Sequence, residues 1–286
     1  MKAVLFGGWC GLFAAGFLCC SAPAAAQSVF PDKKLEAAVR KYVFAKRDNA
    51  EPITAEDVKN LAVISAKGAE ISNLAGLEHC HSLALLDLEN NQVADLAAIK
   101  DMPRLQSLNL AKNQIKDIAP LAGLKKLQYV QLEDNQVADL TPLKELTALN
   151  ALYLSRNQVK DVTPLAELKR LASLYLDGNQ IADIAPLAGL TRVSVLGVSS
   201  NAITNLDSLA GYSELSMVFL QNNKVADLKV LVEMAKKDSK GDMRFAPFWR
   251  LYLAGNPLSD DAKKSQVPTL KKLGARLVLE AEKKKE

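Results

Sequence analysis

The stretch LQSLNLAKNQIKDIAPLAGL, residues 105–124, places leucine and isoleucine at a spacing that matches neither a helix nor a strand over its whole length. The same apolar positions and the same Asn recur 22 residues further on, and again in the next two units. A fixed period of roughly 20 to 30 residues with this pattern is typical of a solenoid of leucine-rich units, each with a strand, a turn and a return segment. One unit cannot bury its apolar side alone, so the stretch is predicted to belong to a stacked array.

The repeated Asn shows how far the array extends. Seven of these residues are spaced 22 apart and an eighth follows after 33, namely Asn91, Asn113, Asn135, Asn157, Asn179, Asn201, Asn223 and Asn256. The apolar positions continue one period earlier, so residues 60–80 are interpreted as a degenerate first unit, as expected at the end of an array. Each Asn lies where the chain leaves the strand, and its side chain can hydrogen-bond the backbone of its own and adjacent turns. We therefore predict a structural role for this ladder, not a catalytic one.

A second ladder of polar residues follows each Asn by four positions. Its members are Asp95, Asp117, Asp139, Asp161, Asp183 and Asp227, with Asn205 in the same place. A row of carboxylates can indicate calcium, but each residue directly precedes an apolar pair spaced for one short helical turn, and Pro follows three residues later in four units. The pattern favours these residues as N-caps of short 3₁₀ turns on the back of the solenoid.

The ends of the chain differ from the repeats. Residues 1–26 have an early Lys2, an apolar run and small residues before Gln27, which is the layout of a cleaved secretory signal peptide. A retained membrane anchor and a lipoprotein signal at Cys19 or Cys20 are the alternatives. The apolar run is short for a membrane span, and no small residue precedes either cysteine. We predict an exported protein, periplasmic or secreted, without stable membrane insertion after cleavage.

The remaining chain divides into a helical N-terminal cap over 27–60, repeats over 61–258, and a C-terminal cap with a basic tail over 259–286. The interval of 33 before Asn256 indicates an insertion at about residues 236–247. Residues 228–235 have helical apolar spacing, which predicts a helix that ends near Ser239 to Gly241. Such an insertion is either a loop used for binding or the result of sequence drift towards the terminal cap, and we favour the second explanation.

Cysteine and histidine give no support for a disulfide or a metal site. Once the signal peptide is removed, Cys80 is the one cysteine left, and its register position holds Met102, Leu124, Leu146 and Leu168 in the next four units. We therefore expect a buried apolar residue. His79 and His81 flank Cys80 and are expected to point outward, and two ligands without a third do not form a metal site. No metal and no cofactor is predicted.

Charge and motifs exclude two further classes of function. The chain carries 36 Lys and Arg against 32 Asp and Glu, interspersed along the units, which disfavours nucleic acid as a partner. Only the C-terminal end is locally basic, and we interpret it as a solvated tail. The sequence has no nucleophile elbow, HExxH motif or glycine-rich phosphate loop, so an enzyme is not expected.

The pattern LxxLxLxxNxIxDIxPLxxL at a period of 22 resembles the internalin-like leucine-rich repeats of bacteria, and the resemblance covers residues 30–286. FPDKKLEAAVRKYVF and PITAEDVKNL are similar to the helical N-terminal cap of that family. Within them Leu35, Val39 and Tyr42 mark one helical face, and Thr54 with Asp57 fits a capping box. Residues 256–280 are similar to the family's closing helix and strand.

The resemblance implies an α/β solenoid, a leucine-rich-repeat horseshoe with a parallel concave β-sheet and short 3₁₀ or helical convex segments. It also implies binding of other proteins through the concave face. The chain lacks an immunoglobulin-like segment, a Leu-Pro-x-Thr-Gly sorting signal and wall-binding modules. Host attachment and covalent wall anchoring are therefore not expected, and a periplasmic or released protein fits better.

The outward strand positions, six and four residues before each ladder Asn, are rich in aromatic residues. Five of these sixteen positions are aromatic, although aromatic residues form only 6% of the chain. Tyr and Phe favour strands, so cross-strand packing alone is one explanation. Aromatic side chains exposed on one rigid surface also serve protein interfaces as anchors, and this explanation is our hypothesis.

We predict that Tyr153 and Tyr175, on adjacent strands, form the central contact with a partner. The contact is extended by Tyr129, Met217, Phe219 and Tyr252, and its polar rim is formed by Glu133, Arg156 and Asp177. The predicted function is a monomeric, non-enzymatic, extracytoplasmic protein-binding module. Binding of a cell-surface polysaccharide through the aromatic side chains is the alternative.

Overall fold

The computed structural model describes residues 27–244 and 246–280. The predicted signal peptide, with Cys10, Cys19 and Cys20, and the last six residues of the basic tail lie outside these ranges. One free cysteine, Cys80, lies inside them, and its side chain is buried.

Within the described residues, ten short strands form one open sheet in which every neighbouring pair is parallel and the strand order follows the chain. The strands are β1 (Val63–Ser65), β2 (Leu85–Asp87), β3 (Ser107–Asn109), β4 (Tyr129–Gln131), β5 (Ala151–Tyr153), β6 (Ser173–Tyr175), β7 (Val195–Gly197), β8 (Met217–Phe219), β9 (Arg250–Tyr252) and β10 (Arg276–Val278). Equivalent residues of successive units lie opposite each other, as Leu152 and Leu174 do. The predicted solenoid of leucine-rich units is confirmed, and the degenerate first unit supplies β1.

The core runs along one side of this sheet. In β1 to β9 the middle residue of the strand is buried, and so are the apolar residues at the turn and in the return segment of the repeats. In the unit of β3 these are Leu105, Leu108, Leu110, Ile115, Ile118, Leu121 and Leu124, each no more than 1% exposed. The same set recurs in every central unit, so one continuous core serves the whole array and no second domain is needed.

The return segments contain short 3₁₀ helices, as predicted. In the described chain they cover Leu77–His79, Ala97–Ile99, Ala119–Gly123, Thr141–Leu143, Thr163–Leu165, Ala185–Gly189 and Asp207–Gly211. The prediction that the Asp ladder supplies their N-caps is wrong by one residue. The N-cap of Ala119–Gly123 is Ile118, whose side chain belongs to the core, and Asp117 precedes it.

Asp117 nevertheless bonds the first turn, because its Oδ1 accepts a hydrogen bond from the Ala119 backbone N–H at 2.8 Å. An Asp side chain can reach the N–H two residues ahead, so it stabilises the turn from outside the cap position. Asp95, Asp139, Asp161, Asp183, Asn205 and Asp227 make the equivalent bond.

The N-terminal cap closes the first edge of the sheet. Helix α1 (Lys33–Arg40) is followed by a 3₁₀ turn (Phe44–Lys46) and by α2 (Ala55–Val58), which begins with the predicted capping box of Thr54 and Asp57. Leu35 and Val39 are buried. Tyr42 lies beyond the end of α1, not on its face, and its hydroxyl bonds both the N–H and the C=O of Ser65.

At the other end, α3 (Lys229–Lys240) fills the interrupted unit and stops before Gly241, within the predicted range. A 3₁₀ turn (Ala246–Phe248) leads to β9. The C-terminal cap is a π-helical turn (Ala262–Gln266), then α4 (Val267–Lys272), then β10. Gln266 ties this cap to the inserted helix, because its Oε1 accepts from the Leu228 N–H at 2.6 Å.

The ladder Asn residues join each unit to the one before it. Asn135 Nδ2 donates to the carbonyl of Leu132 in its own unit at 3.0 Å and to that of Leu110 in the preceding unit at 2.9 Å. Its Oδ1 accepts from the Ile115 N–H at 2.9 Å. The other ladder members make equivalent bonds, for example Asn91, Asn201 and Asn256.

A left-handed backbone precedes every ladder Asn. These residues, with φ between 54° and 76°, are Asn90, Lys112, Asp134, Arg156, Gly178, Ser200, Asn222 and Gly255. Residues other than Gly adopt this conformation at a cost, so it persists where surrounding contacts fix it. Here the buried Asn side chain holds the turn in that shape.

We predict that Asn135→Ala lowers the free energy of unfolding by about 1–3 kcal/mol, because buried backbone groups in two units lose their partner. Urea denaturation of the purified protein measures the change. Gln136→Ala is the matched control, since no hydrogen bond of the Gln136 side chain contributes to the ladder. Equal midpoints for the two variants would contradict the structural role of the ladder.

Candidate binding face of the sheet

One side of the sheet faces away from the core. In each strand the first and third residues point to this side, as in β4, where Tyr129 and Gln131 are half-buried and Val130 is fully buried. The residue two positions after each strand continues the same side. We call these positions the sheet face.

Five aromatic side chains form a continuous row across this face. Ring centroids are 5.3 Å apart for Tyr129 and Tyr153, 5.0 Å for Tyr153 and Tyr175, 6.2 Å for Tyr175 and Phe219, and 4.6 Å for Phe219 and Tyr252. Two of the pairs are stacked, with interplanar angles of 8° for Tyr153 and Tyr175 and 18° for Phe219 and Tyr252. We call these five residues the aromatic row.

Tyr129 joins the row from a different strand position. It is the first residue of β4, whereas the other four are the third residues of their strands. Opposite Tyr129 on β5 is Ala151, whose side chain is small, so the Tyr129 ring has room to reach Tyr153. Met217, the first residue of β8, is half-buried on the same face as Phe219.

Gly197 allows the row to cross β7, and sequence reasoning missed it. Gly197 lies opposite Tyr175 on one side and Phe219 on the other. A Cβ at this position would lie 2.7 Å from Tyr175 Cδ1 and 2.5 Å from Asp177 Oδ2. The signal was a glycine among aromatic residues at the same register position, which indicates a close approach by a neighbouring side chain.

A row of polar side chains runs beside the aromatic row, two residues beyond each strand. Ser155 Oγ donates to Asp177 Oδ2 at 3.2 Å, and the Ser199 N–H donates to Asp177 Oδ1 at 2.7 Å. Ser199 Oγ in turn donates to Gln221 Oε1 at 2.7 Å. Four successive units are thus linked by side chains of the sheet face.

The predicted polar rim divides into two kinds of residue. Arg156 is exposed and forms a two-pronged ion pair with Asp134, with Nη2 to Oδ2 at 2.6 Å. Glu133 is half-buried, and its Oε2 is shielded from solvent without a hydrogen-bond partner. Burial raises the pKa of the Glu133 carboxyl, although the nearby Arg156 acts in the opposite direction.

Two tyrosines of the row, Tyr129 and Tyr175, remain protonated at neutral pH. Burial, the neighbouring Tyr153 phenol and the Glu133 carboxylate raise the pKa of Tyr129 to about 12. Burial, Tyr153 and Asp177 also raise the pKa of Tyr175. Tyr129 and Tyr175 therefore offer neutral hydroxyl groups next to the apolar ring edges of the row and to carboxylates.

The other candidate groups lie away from this face. Cys80 is fully buried, and burial together with Glu78 raises the pKa of its thiol to about 12. His79 is half-buried and His81 is exposed. The described residues hold no group of three or more His, Cys, Asp and Glu side chains placed to bind a metal ion.

The inserted segment forms a second exposed surface on the flank of the array. Met243 and Phe248 are 60% and 69% exposed, and Arg244 pairs with Glu214 and Asp242. None of these side chains belongs to the aromatic row, so the insertion is a separate feature of the molecule.

We predict that Gly197→Ala lowers the free energy of unfolding by about 1–3 kcal/mol, because the added methyl group displaces Tyr175 and Asp177. Urea denaturation and the near-ultraviolet circular dichroism of the tyrosines measure the two effects. Gly211→Ala is the matched control, since a Cβ there would meet Thr191 Cγ2 at an ordinary 3.7 Å. An unperturbed tyrosine spectrum in Gly197→Ala would show that the rings do not pack over β7.

Comparison with known proteins agrees with this architecture. Residues 103–145 and 147–189 each match the family described as Leucine Rich repeats (2 copies). A comparison with curated protein sequences finds no match.

Solved structures extend the likeness beyond the central repeats. Internalin C2 of Listeria monocytogenes is 32% identical, with a TM-score of 0.69 over 72% of this chain and 91% of that one. A leucine-rich-repeat protein of Leptospira interrogans is 24% identical, with a TM-score of 0.68 over 80% of this chain and 63% of that one. The ectodomain of the Arabidopsis thaliana receptor kinase GASSHO1/SCHENGEN3, in complex with CASPARIAN STRIP INTEGRITY FACTOR 2, is 22% identical, with a TM-score of 0.58 over 70% and 24%. The identity to internalin C2, together with the 22-residue units, shows that the chain belongs to the internalin-like leucine-rich-repeat proteins.

Proposed function

We propose that the protein is a non-enzymatic module that binds another protein outside the cytoplasm through its sheet face. The observation that carries this proposal is the aromatic row, five rings in contact on a sheet whose turns are held by the ladder Asn side chains. Leucine-rich-repeat folds are protein-interaction scaffolds, and solenoids use extended surfaces of this kind for binding. Rigid aromatic side chains on such a surface bury large areas on contact with a partner.

The core does not require the row. The buried side chains of β5 and β6, Leu152 and Leu174, lie on the opposite side of the sheet and are fully buried without help from the rings. Contact between neighbouring rings stabilises the sheet by only about 0.2–1 kcal/mol per pair. Half-buried aromatic groups on five of the six strands from β4 to β9 therefore support an external role.

The stacking of the rings argues against a polysaccharide as the main ligand. A sugar ring packs on the open face of an aromatic ring, but the faces of Tyr153 and Tyr175 are turned towards each other at 5.0 Å. Phe219 and Tyr252 are stacked in the same way at 4.6 Å. Ring edges and hydroxyl groups are what this surface presents, and they suit the irregular surface of a protein.

Hydrolytic chemistry finds no support on the sheet face. The hydroxyl groups of Ser155 and Ser199 donate to Asp177 and Gln221, and in these contacts no imidazole acts as a base. A nucleophilic Ser needs a base within hydrogen-bond reach. The proposed role is therefore binding and not hydrolysis, and the proposal takes the protein to be a monomer without a cofactor.

Export is part of the proposal and rests on the pattern of residues 1–26. Among the described residues no helix is long and apolar enough to cross a membrane. We expect N-terminal sequencing of the protein recovered from the periplasm or the medium to begin at Gln27. An intact N-terminus in a cytoplasmic fraction would contradict export, and a lipid-modified Cys19 or Cys20 would contradict cleavage at Gln27.

The binding proposal is tested by the double variant Tyr153→Ala, Tyr175→Ala. We expect it to remain folded, because only a ring stack on the outer face is lost, and to lose its partner in a pull-down from envelope extracts. Phe44→Ala is the matched control, since Phe44 is an aromatic residue that is 85% exposed and lies in the N-terminal cap. Retention of the partner by the double variant at the affinity of the unmodified protein would refute the assignment of the sheet face.

A further inference from the structure

The sheet face is acidic where the aromatic row is centred. In the six units of β3 to β8, the face positions hold no Lys or Arg, and the charged residues among them are Glu133 and Asp177. The chain as a whole has more basic than acidic residues, 36 against 32. Basic residues occur on the sheet face only outside this stretch, at Lys67, Arg250 and Arg276. Their absence from β3 to β8 is therefore a property of this part of the face and not of the composition.

Acidic residues at the neighbouring end of the same face have basic partners. Asp87, at the end of β2, and Glu89, two residues later, pair with Lys67 at 3.1 and 3.2 Å, and Glu89 also pairs with Lys112 at 2.9 Å. These carboxylates are neutralised within the chain. This part of the face therefore has no carboxylate that needs a cation from outside the chain.

Glu133 and Asp177 differ from that pattern. Asp177 accepts hydrogen bonds from the neutral groups of Ser155 and Ser199, and Glu133 Oε2 has no hydrogen-bond partner. Arg156 lies close enough to influence both carboxylates, but its guanidinium is paired with Asp134. Within the described residues, neither of the two face carboxylates forms an ion pair.

The spacing of the two carboxylates suits one basic side chain. Glu133 and Asp177 belong to units two strands apart, a distance of roughly 10 Å across a parallel sheet. The residue between them in the polar row is Ser155, which is small and buried. A guanidinium or ammonium group placed above Ser155 would lie between both carboxylates, with its alkyl stem along Tyr153.

We propose that the partner inserts a basic side chain, Arg or Lys, between Glu133 and Asp177 while its neighbouring residues pack on the aromatic row. The inference rests on the proposed function and adds the chemistry of the partner to it. An unpaired and shielded carboxylate costs stability in the free protein. A cation from the partner offsets that cost only in the complex, so the site favours basic segments over neutral ones.

Random twelve-residue peptides displayed on phage are the probe. The purified protein selects peptides after binders of the Tyr153→Ala, Tyr175→Ala variant have been removed. We expect the selected peptides to be enriched in Arg and Lys, and to bind Glu133→Gln and Asp177→Asn at least about tenfold more weakly. Glu167→Gln removes an exposed carboxylate from a return segment and should leave their affinity unchanged.

The outcomes separate this inference from the proposed function. Tyrosine-dependent peptides that carry no basic residue, or that bind Glu133→Gln at full strength, would overturn the inference and leave the binding face intact. A selection that yields no tyrosine-dependent peptide would contradict both.

The stability of the free protein gives a second readout, in which Glu133→Gln is expected to stabilise the protein although it weakens peptide binding. Because burial raises the pKa of Glu133, its ionisation is unfavourable in the folded state. The free energy of unfolding therefore falls as pH rises from the pKa that Glu133 has in the unfolded chain to its higher pKa in the folded protein. Glu133→Gln should therefore raise the thermal midpoint at neutral pH, and the gain should vanish below about pH 4. A lower midpoint for Glu133→Gln at neutral pH would show that the carboxylate is already satisfied and would overturn the inference.

Discussion

The hydrogen bonds of the ladder Asn side chains are the constraint on which the rest of the structure depends. Each unit must turn sharply after a strand of three residues, and a turn at the edge of a stacked core leaves backbone groups that water cannot reach. An Asn amide such as that of Asn135 satisfies carbonyls in two units and an N–H in the preceding one. Since every unit is tied to its neighbour in the same way, equivalent positions lie opposite each other along the whole sheet.

That alignment separates the roles of the two sides of the sheet. Leucine and valine on the inner side are repeated because each unit must fit the same core, whereas the outer side is free to vary. The variation is not random: aromatic rings lie at successive positions 4.6 to 6.2 Å apart, and Gly197 is present where a side chain would block Tyr175. The same alignment brings Glu133 and Asp177 to one polar row on either side of Ser155. Because the array is rigid, residues that differ from unit to unit at one register position become neighbours and form a continuous surface.

The fold could be predicted because the repeat period shows which residues occupy equivalent structural positions in successive units. The 22-residue period fixed the strands and the buried positions, and the inserted helix followed from its apolar spacing. Prediction failed where side-chain geometry decides: Asp117 stabilises its 3₁₀ turn from one residue outside the cap position, because its side chain reaches the N–H two residues ahead. Within the polar rim, Arg156 pairs with Asp134 and Glu133 Oε2 lacks a partner, differences that depend on rotamers and not on register. The contribution of Gly197 could not be predicted either, since it depends on side chains that lie next to it on two other strands.

The central claim is that partner recognition takes place on the aromatic row. Site-specific photocrosslinking tests it most directly, with benzoylphenylalanine in place of Tyr153 in the cells that produce the protein, and in place of the exposed Phe44 as the reference position. The account predicts a discrete protein adduct from position 153 after irradiation and none from position 44. Adducts of equal yield from both positions, or an adduct from position 44 alone, would contradict it.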